Sequence, residues 1–209
     1  MLIKKIQELN KSRVRVILED DFSFVLYKGE VRSYKVVEGE DLPDEVFEVL
    51  MTTVLPKRAK LRAMNLLKSR PYTVKGLTDK LKDGGYPESV INIAIDYVSS
   101  YNYLNDKQYA LDYIYTYKNS KNKARIFLDL TNKGISKDII SSAYEEEVGD
   151  DTKLLEEEQI KSFLRKKGYS SDKVPYSQIG YEEKMKLLAS LYRKGFSTDL
   201  SKKILSVDD

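Results

Sequence analysis

Three stretches share one pattern without gaps: Leu81-Lys82-Asp83-Gly84-Gly85-Tyr86-Pro87, Leu130-Thr131-Asn132-Lys133-Gly134-Ile135-Ser136 and Leu191-Tyr192-Arg193-Lys194-Gly195-Phe196-Ser197. One helical turn before each leucine stands another apolar residue: Leu77, Ile126 or Leu187. Five residues after each glycine come Val90, Ile139 and Leu200, and nine after it Ala94, Ala143 and Ile204. This is helix periodicity on both sides of a break. Glycine suits the left-handed residue that closes a helix, and the apolar residue after it packs back on the helix just left. Ser136 and Ser197 suit the cap of the next helix, and Pro87 its first turn.

Working outward, a further helix precedes each pair, over residues 58–69, 106–118 and 152–167. The expected fold is therefore mainly α: three tandem three-helix repeats, over residues 56–105, 106–150 and 151–209, in an elongated curved stack. The glycines lie 49 and then 61 residues apart, and the longer interval holds the loop-like stretch 168–180 with Pro175, so the third repeat carries an insertion. A single unit of this size buries little apolar surface, and stacking neighbours is the usual remedy.

Residues 1–55 read differently, as a β-rich extension with a linking helix. Val14, Val16 and Leu18 alternate with Arg13, Arg15 and Ile17, and Phe22, Phe24 and Leu26 with Ser23, Val25 and Tyr27; Glu19-Asp20-Asp21 between them supplies turn chemistry, so a hairpin is expected. A third strand over 31–37, after the turn at Lys28-Gly29-Glu30, would make a small meander. Asp41 and Pro43 resemble a helix start, and Pro56 marks that helix's end near Leu55.

Composition narrows the chemistry. The chain has 209 residues, 41% hydrophobic and 33% charged, which is enough for a core. Histidine and cysteine are both absent, which excludes Ser-His-Asp and Cys-His catalysis, disulfides and imidazole- or thiolate-ligated metals. There is no GxxxxGK[ST] phosphate loop, and no acidic pair has a distinctive setting. No cofactor and no enzymatic activity are expected. No apolar run approaches the roughly 18 residues of a membrane span and the start lacks a signal peptide's apolar segment, so a cytoplasmic protein is expected.

Net charge is only +3, so attraction to nucleic acid rests on local patches. Arg58 and Arg62 lie one turn apart and are expected to face outward, which suits either a solvated face or contact with phosphate or an acidic surface. Lys118, Lys121, Lys123 and Arg125 crowd the turn between the first two helices of the second repeat, the strongest single patch. Lysines there equally serve the helix dipole or loop solubility. Lys133, like Lys194, precedes a turn glycine, where complementing the carbonyl end of the helix is sufficient reason for it. Tyr101, Tyr103, Tyr109, Tyr113, Tyr115 and Tyr117 invite base stacking, but their helical phase favours packing, with Tyr115 the more exposed. Glu157 is placed to pair with Lys161, and residues 145–151 read as a solvated acidic connection.

The succession Ala63, Leu66, Leu67, Arg70-Pro71, Thr73, Leu77, Lys80-Leu81, Gly85-Tyr86, then Tyr103-Leu104-Asn105-Asp106-x-x-Tyr109-Ala110, then Arg125-Ile126, Leu130 and Lys133-Gly134-Ile135 resembles the RecX family. The strand-rich start is similar to the extension of many Gram-positive members. A glycine commonly precedes the Arg-Ile pair in that family; here the loop reads Asn119-Ser120-Lys121-Asn122-Lys123-Ala124. The resemblance implies a regulator that binds the RecA filament on single-stranded DNA and suppresses its ATPase and strand exchange; weak direct DNA contact and a monomeric state are separate expectations. It adds Arg70 to the candidate contacts. The alternative is a general nucleic-acid-binding helical repeat protein.

Overall fold

The computed structural model describes residues 1–170 and 174–207. They divide into two compact units, Met1–Asn105 and Asp106–Asp209.

In the first unit, β1 (Ile3–Glu8), β2 (Arg13–Leu18) and β3 (Ser23–Tyr27) form an antiparallel sheet in that order. Val16 stands opposite Ile6 on one side and Phe24 on the other. The inward face buries Ile3, Val14, Val16, Leu18, Phe24 and Leu26, as period-two alternation requires. The hairpin falls where the alternation placed it, but the third strand is Ile3–Glu8, not residues 31–37. The latter stretch begins in a short helix, α1 (Lys28–Ser33). The Tyr27 N–H donates to Glu30 Oε2 at 2.7 Å, which turns the chain out of the sheet. The Val36 N–H then returns to Val31 O, and Val36 is buried.

Asp41 does not start the next helix. It bridges to Leu2 and pairs with the terminal amine at 3.5 Å. The helix α2 (Asp44–Val49) begins after Pro43. Pro56 does not end it either: a π-helical segment, Leu50–Val54, passes directly into α3 (Leu55–Ser69). Proline lacks the donor for the ordinary bond and its ring crowds the carbonyl four residues back. The wider turn, in which the Leu55 N–H reaches Leu50 O, accommodates it without a break.

Next come α4 (Val74–Asp83) and α5 (Glu88–Ser100), completing the first three-helix repeat. Leu77, Leu81, Val90, Ile91, Ala94 and Val98 share one core with the sheet. Each large side chain there contributes about 1.5–3 kcal/mol on burial.

The second unit holds α6 (Asp106–Tyr117), α7 (Lys123–Asn132) and α8 (Lys137–Glu147), then α9 (Thr152–Lys166), α10 (Tyr181–Arg193) and α11 (Thr198–Leu205). Ile126, Leu130 and Ala143 lie in the core of the former trio, and Leu164, Leu187, Leu191 and Leu205 in that of the latter. Within the stretch 168–180 read as an insertion, residues 171–173 lie outside the described residues. Of the remainder, Tyr176–Gln178 forms a 3-10 turn and Ile179 is buried.

All three glycine turns close in the same way. Gly85, Gly134 and Gly195 have φ of 81°, 87° and 85°. The amides of Tyr86, Ile135 and Phe196 reach back to Leu81, Leu130 and Leu191 carbonyls, the six-to-one bond of a Schellman motif. Ser136 and Ser197 cap the following helices through the amides of Ile139 and Leu200.

Candidate partner interface

The turn between α6 and α7 is built from one asparagine. Asn122 is 7% exposed and caps α7, its Oδ1 accepting the Arg125 N–H at 2.9 Å. Its Nδ2 donates to the Lys194 carbonyl at the α10–α11 turn. Gln159 of α9 donates to both Lys118 O and Lys121 O. The second and third repeats are thereby joined at this turn through backbone carbonyls. The α10–α11 turn comes close because residue 195 is glycine: a Cβ there would lie 2.7 Å from that of Ala124.

The basic side chains of the turn are mostly engaged. Lys118 pairs with Glu147 at 2.7 Å. Lys121 donates to Asp129 at 2.9 Å and to the Tyr113 hydroxyl at 2.6 Å, and lies 4.1 Å from the Tyr117 ring centre. The Arg125 Nε meets the other Asp129 oxygen at 3.0 Å. The Lys121 hydrogen bond holds the Asp129 carboxyl below the usual carboxylate range, against a smaller opposing effect of burial. The Tyr113 and Asp129 hydrogen bonds raise the Lys121 ammonium, and burial raises the Tyr113 hydroxyl.

What remains facing outward is a groove between the two turns, lined by Lys121, Arg125, Leu128, Tyr192, Arg193 and Lys194. The Tyr192 ring is 70% exposed and the Arg125 side chain 60%. In one groove, an exposed aromatic face can stack a planar group while the guanidinium groups lining the same groove donate to anions.

The other expected contacts are dispersed. Arg58 does not face outward: it pairs with Glu30 at 2.8 Å, donates to Val25 O and lies 4.2 Å above Tyr27, because the sheet covers a second face of α3. Arg62 is exposed in the first unit. Arg70 is exposed and lies 4.7 Å above Tyr72, while Lys123 lies 4.8 Å from Tyr144. The Lys133 ammonium is 5.6 Å from the Tyr109 ring centre. Glu146 and Glu147 belong to α8 and pair with Lys107 and Lys118, so the first part of the acidic stretch is helix bound to α6, while Gly149–Asp151 forms a 3-10 turn with Asp150 and Asp151 exposed, the solvated connection expected. Glu157 meets Lys161 at 2.6 Å, and Tyr115 is 69% exposed, as their positions implied.

Tyr192 and Arg193 escaped the sequence reading. Their signal is helical phase: both fall off the buried Leu187 and Leu191 stripe, which leaves an exposed aromatic beside a cation. Among the described residues, no group of three or more acidic, histidine or cysteine side chains is placed to hold a metal ion. No described helix is long and apolar enough to cross a membrane.

The architecture defines a protein of consecutive three-helix repeats preceded by a small sheet, with cationic turns on its surface. The family model for the first three-helix domain of RecX matches residues 59–97. The chain is 30% identical to the regulatory protein RecX of Clostridioides difficile, covering 96% of this chain and 91% of the relative. It is 25% identical to that of Bacillus subtilis, covering 97% and 96%. A solved regulatory protein RecX shares the fold over 99% of both chains at TM-score 0.63 and 20% identity. The RecX structure from Lactobacillus salivarius matches at TM-score 0.60 and 26% identity, covering 73% of this chain and 96% of that one. The chain belongs to the RecX family of regulatory proteins.

Proposed function

We propose that this protein binds the RecA filament assembled on single-stranded DNA and restrains its ATP hydrolysis and strand exchange. It acts as a cytoplasmic monomer, by binding and without chemistry of its own. The observation that carries the reading, beside family membership, is the exposed groove of Arg125, Arg193 and Tyr192. Small contacts of this kind gain strength when a filament presents the same partner repeatedly. Lys123, Arg70 and Lys133 are further candidate contacts.

The test adds the protein substoichiometrically to a RecA filament and follows ATP hydrolysis and filament length. Falling hydrolysis with shortened or blocked filaments is expected; neither inhibition nor binding would sink the reading. The site is tested by Arg125→Gln with Arg193→Gln and Tyr192→Ala, which should weaken inhibition with little change in unfolding. Lys121 is unsuitable for this, because its reversal would strand Asp129 and Tyr113.

A second reading, general binding of nucleic acid, is favoured by the exposed Tyr192 ring in a groove that Arg125 and Arg193 also line. Under it, naked strands bind as tightly as filaments, and the logarithm of affinity falls with that of salt by about 0.7 per neutralised phosphate.

A further inference from the structure

The turn between β1 and β2 is braced by its own hydrogen bonds. Asn10 Oδ1 accepts the amides of Ser12 and Arg13, each at 3.0 Å, and the Ser12 hydroxyl at 3.1 Å. The Lys28 N–H donates to Ser12 O and ties the turn to the end of β3. This turn forms one wall of an open cleft of about 660 Å³, whose other wall comes from α3 and the end of α4. Four cations line it, Lys11, Arg13, Arg62 and Lys80, with Tyr27 at the rim and a single carboxylate, Asp83.

That carboxylate already pairs with Lys80 at 3.2 Å. The nearby acids are also occupied, Glu8 by Lys28 and Glu30 by Arg58. Lys11, Arg13 and Arg62 form no ion pair among the described residues. Like charges held together on a braced turn repel, and the one carboxylate lining the cleft, Asp83, is paired with Lys80 rather than with these three. An external anion offsets the repulsion.

We infer that this cleft between the N-terminal sheet and the first repeat holds the phosphodiester backbone of a single-stranded nucleic acid. Several cations along an open cleft suit a ligand with repeated charges better than one small anion. Tyr27 is 44% exposed, and a rim aromatic gives a base or sugar a face to lie on. One wall, residues 10–13, lies outside the segment 59–97 that matches the first three-helix domain, so the N-terminal sheet gains a role in binding. The inference goes beyond the filament reading and does not depend on it, since it concerns naked strand.

The test measures binding of a short labelled oligothymidylate by anisotropy across salt concentration, with no recombinase present. For Lys11→Gln with Arg13→Gln, the expected result is roughly tenfold weaker binding and a salt slope smaller by about 1.4. Arg62→Gln should act in the same direction, while Arg13→Lys with Arg62→Lys should retain binding. Lys68→Gln, on an exposed part of α3 outside the cleft, should change little. Lys11→Glu alone, at an exposed turn position, keeps the test valid where a double variant fails to fold. Unchanged affinity and slope in the cleft variants would overturn the inference. So would equal loss in the charge-conserving variant, or binding of polyglutamate in place of the oligonucleotide, which would assign the cleft to an acidic protein surface. Loss of oligonucleotide binding with filament inhibition intact would support the cleft and leave the filament reading standing.

Discussion

At the residue scale, the repeat glycines do two things that the sequence pattern shows only in part. Gly85 has a φ of 81°, and a Cβ on it would lie 2.2 Å from Val25 Cγ2 of β3. Gly39 has a φ of 83° with nothing within 4 Å of the same position. A left-handed alanine costs about 1–2 kcal/mol and overpacking a further 1–3. Gly85→Ala should therefore destabilise by about 3 kcal/mol and Gly39→Ala by about 1, read from urea unfolding; equal losses would mean the contact with Val25 is of no consequence. Asp129 gives a second case. Its carboxyl is held below the ordinary range chiefly by the Lys121 hydrogen bond, so its stabilisation is present above about pH 4 and lost as pH falls through the lowered value. Asp129→Asn should cost about 1–3 kcal/mol at neutral pH and flatten that part of the acid limb, seen as unfolding free energy against pH.

At the element scale, Asn122 connects two repeats through two different atoms. Asn122→Asp keeps the cap on α7 but removes the donor to Lys194 O, while Asn122→Ala removes both. Costs of about 1 and about 2 kcal/mol are expected. The aspartate variant should lose hydrogen-exchange protection in α10 and α11 while α7 keeps its own. Loss confined to α7 would contradict the assignment. The same element shows where the sequence was legible. Helix ends at Gly85, Gly134 and Gly195 are local devices, set by φ and by bonds five residues long, and each could be read directly. Strand β1 could not, because Lys4 and Lys5 interrupt its apolar pattern and only Ile3 and Ile6 mark the inward face. Residues 31–37 follow turn-like Lys28-Gly29-Glu30 and carry β-branched Val31, Val36 and Val37, but the Glu30 carboxylate at the Tyr27 amide decides for a helix. The basic turn was visible as charge, whereas its neutralisation by Glu147 and Asp129 depends on α8 and on α7's own phase. Tyr192 and Arg193 join Arg125 where Asn122 reaches a carbonyl 72 residues away and Gly195 lets the two turns approach, contacts that no local pattern announces.

At the scale of the whole molecule, the division into Met1–Asn105 and Asp106–Asp209 coincides with a division of the cores. The sheet and first repeat share one cluster, from Ile3 to Leu104, while Ala110 to Val148 and Ile160 to Leu205 form two others. Cooperative unfolding follows shared burial, since a cluster loses its apolar contacts together. A change that weakens the first cluster alone should lower protection there and leave the second unit's opening free energy nearly as it was. Gly85→Ala is such a change, because its clash is with Val25, inside the first unit. Native-state hydrogen exchange by mass spectrometry should show protection falling across residues 1–105 by about the 3 kcal/mol of the substitution, while residues 106–207 shift by less than about 0.5 kcal/mol, the tolerance for independent sites. Asn122→Ala should give the converse. If both variants instead lowered protection evenly along the chain, the two units would unfold as one, and a partner bound to either would stabilise the whole.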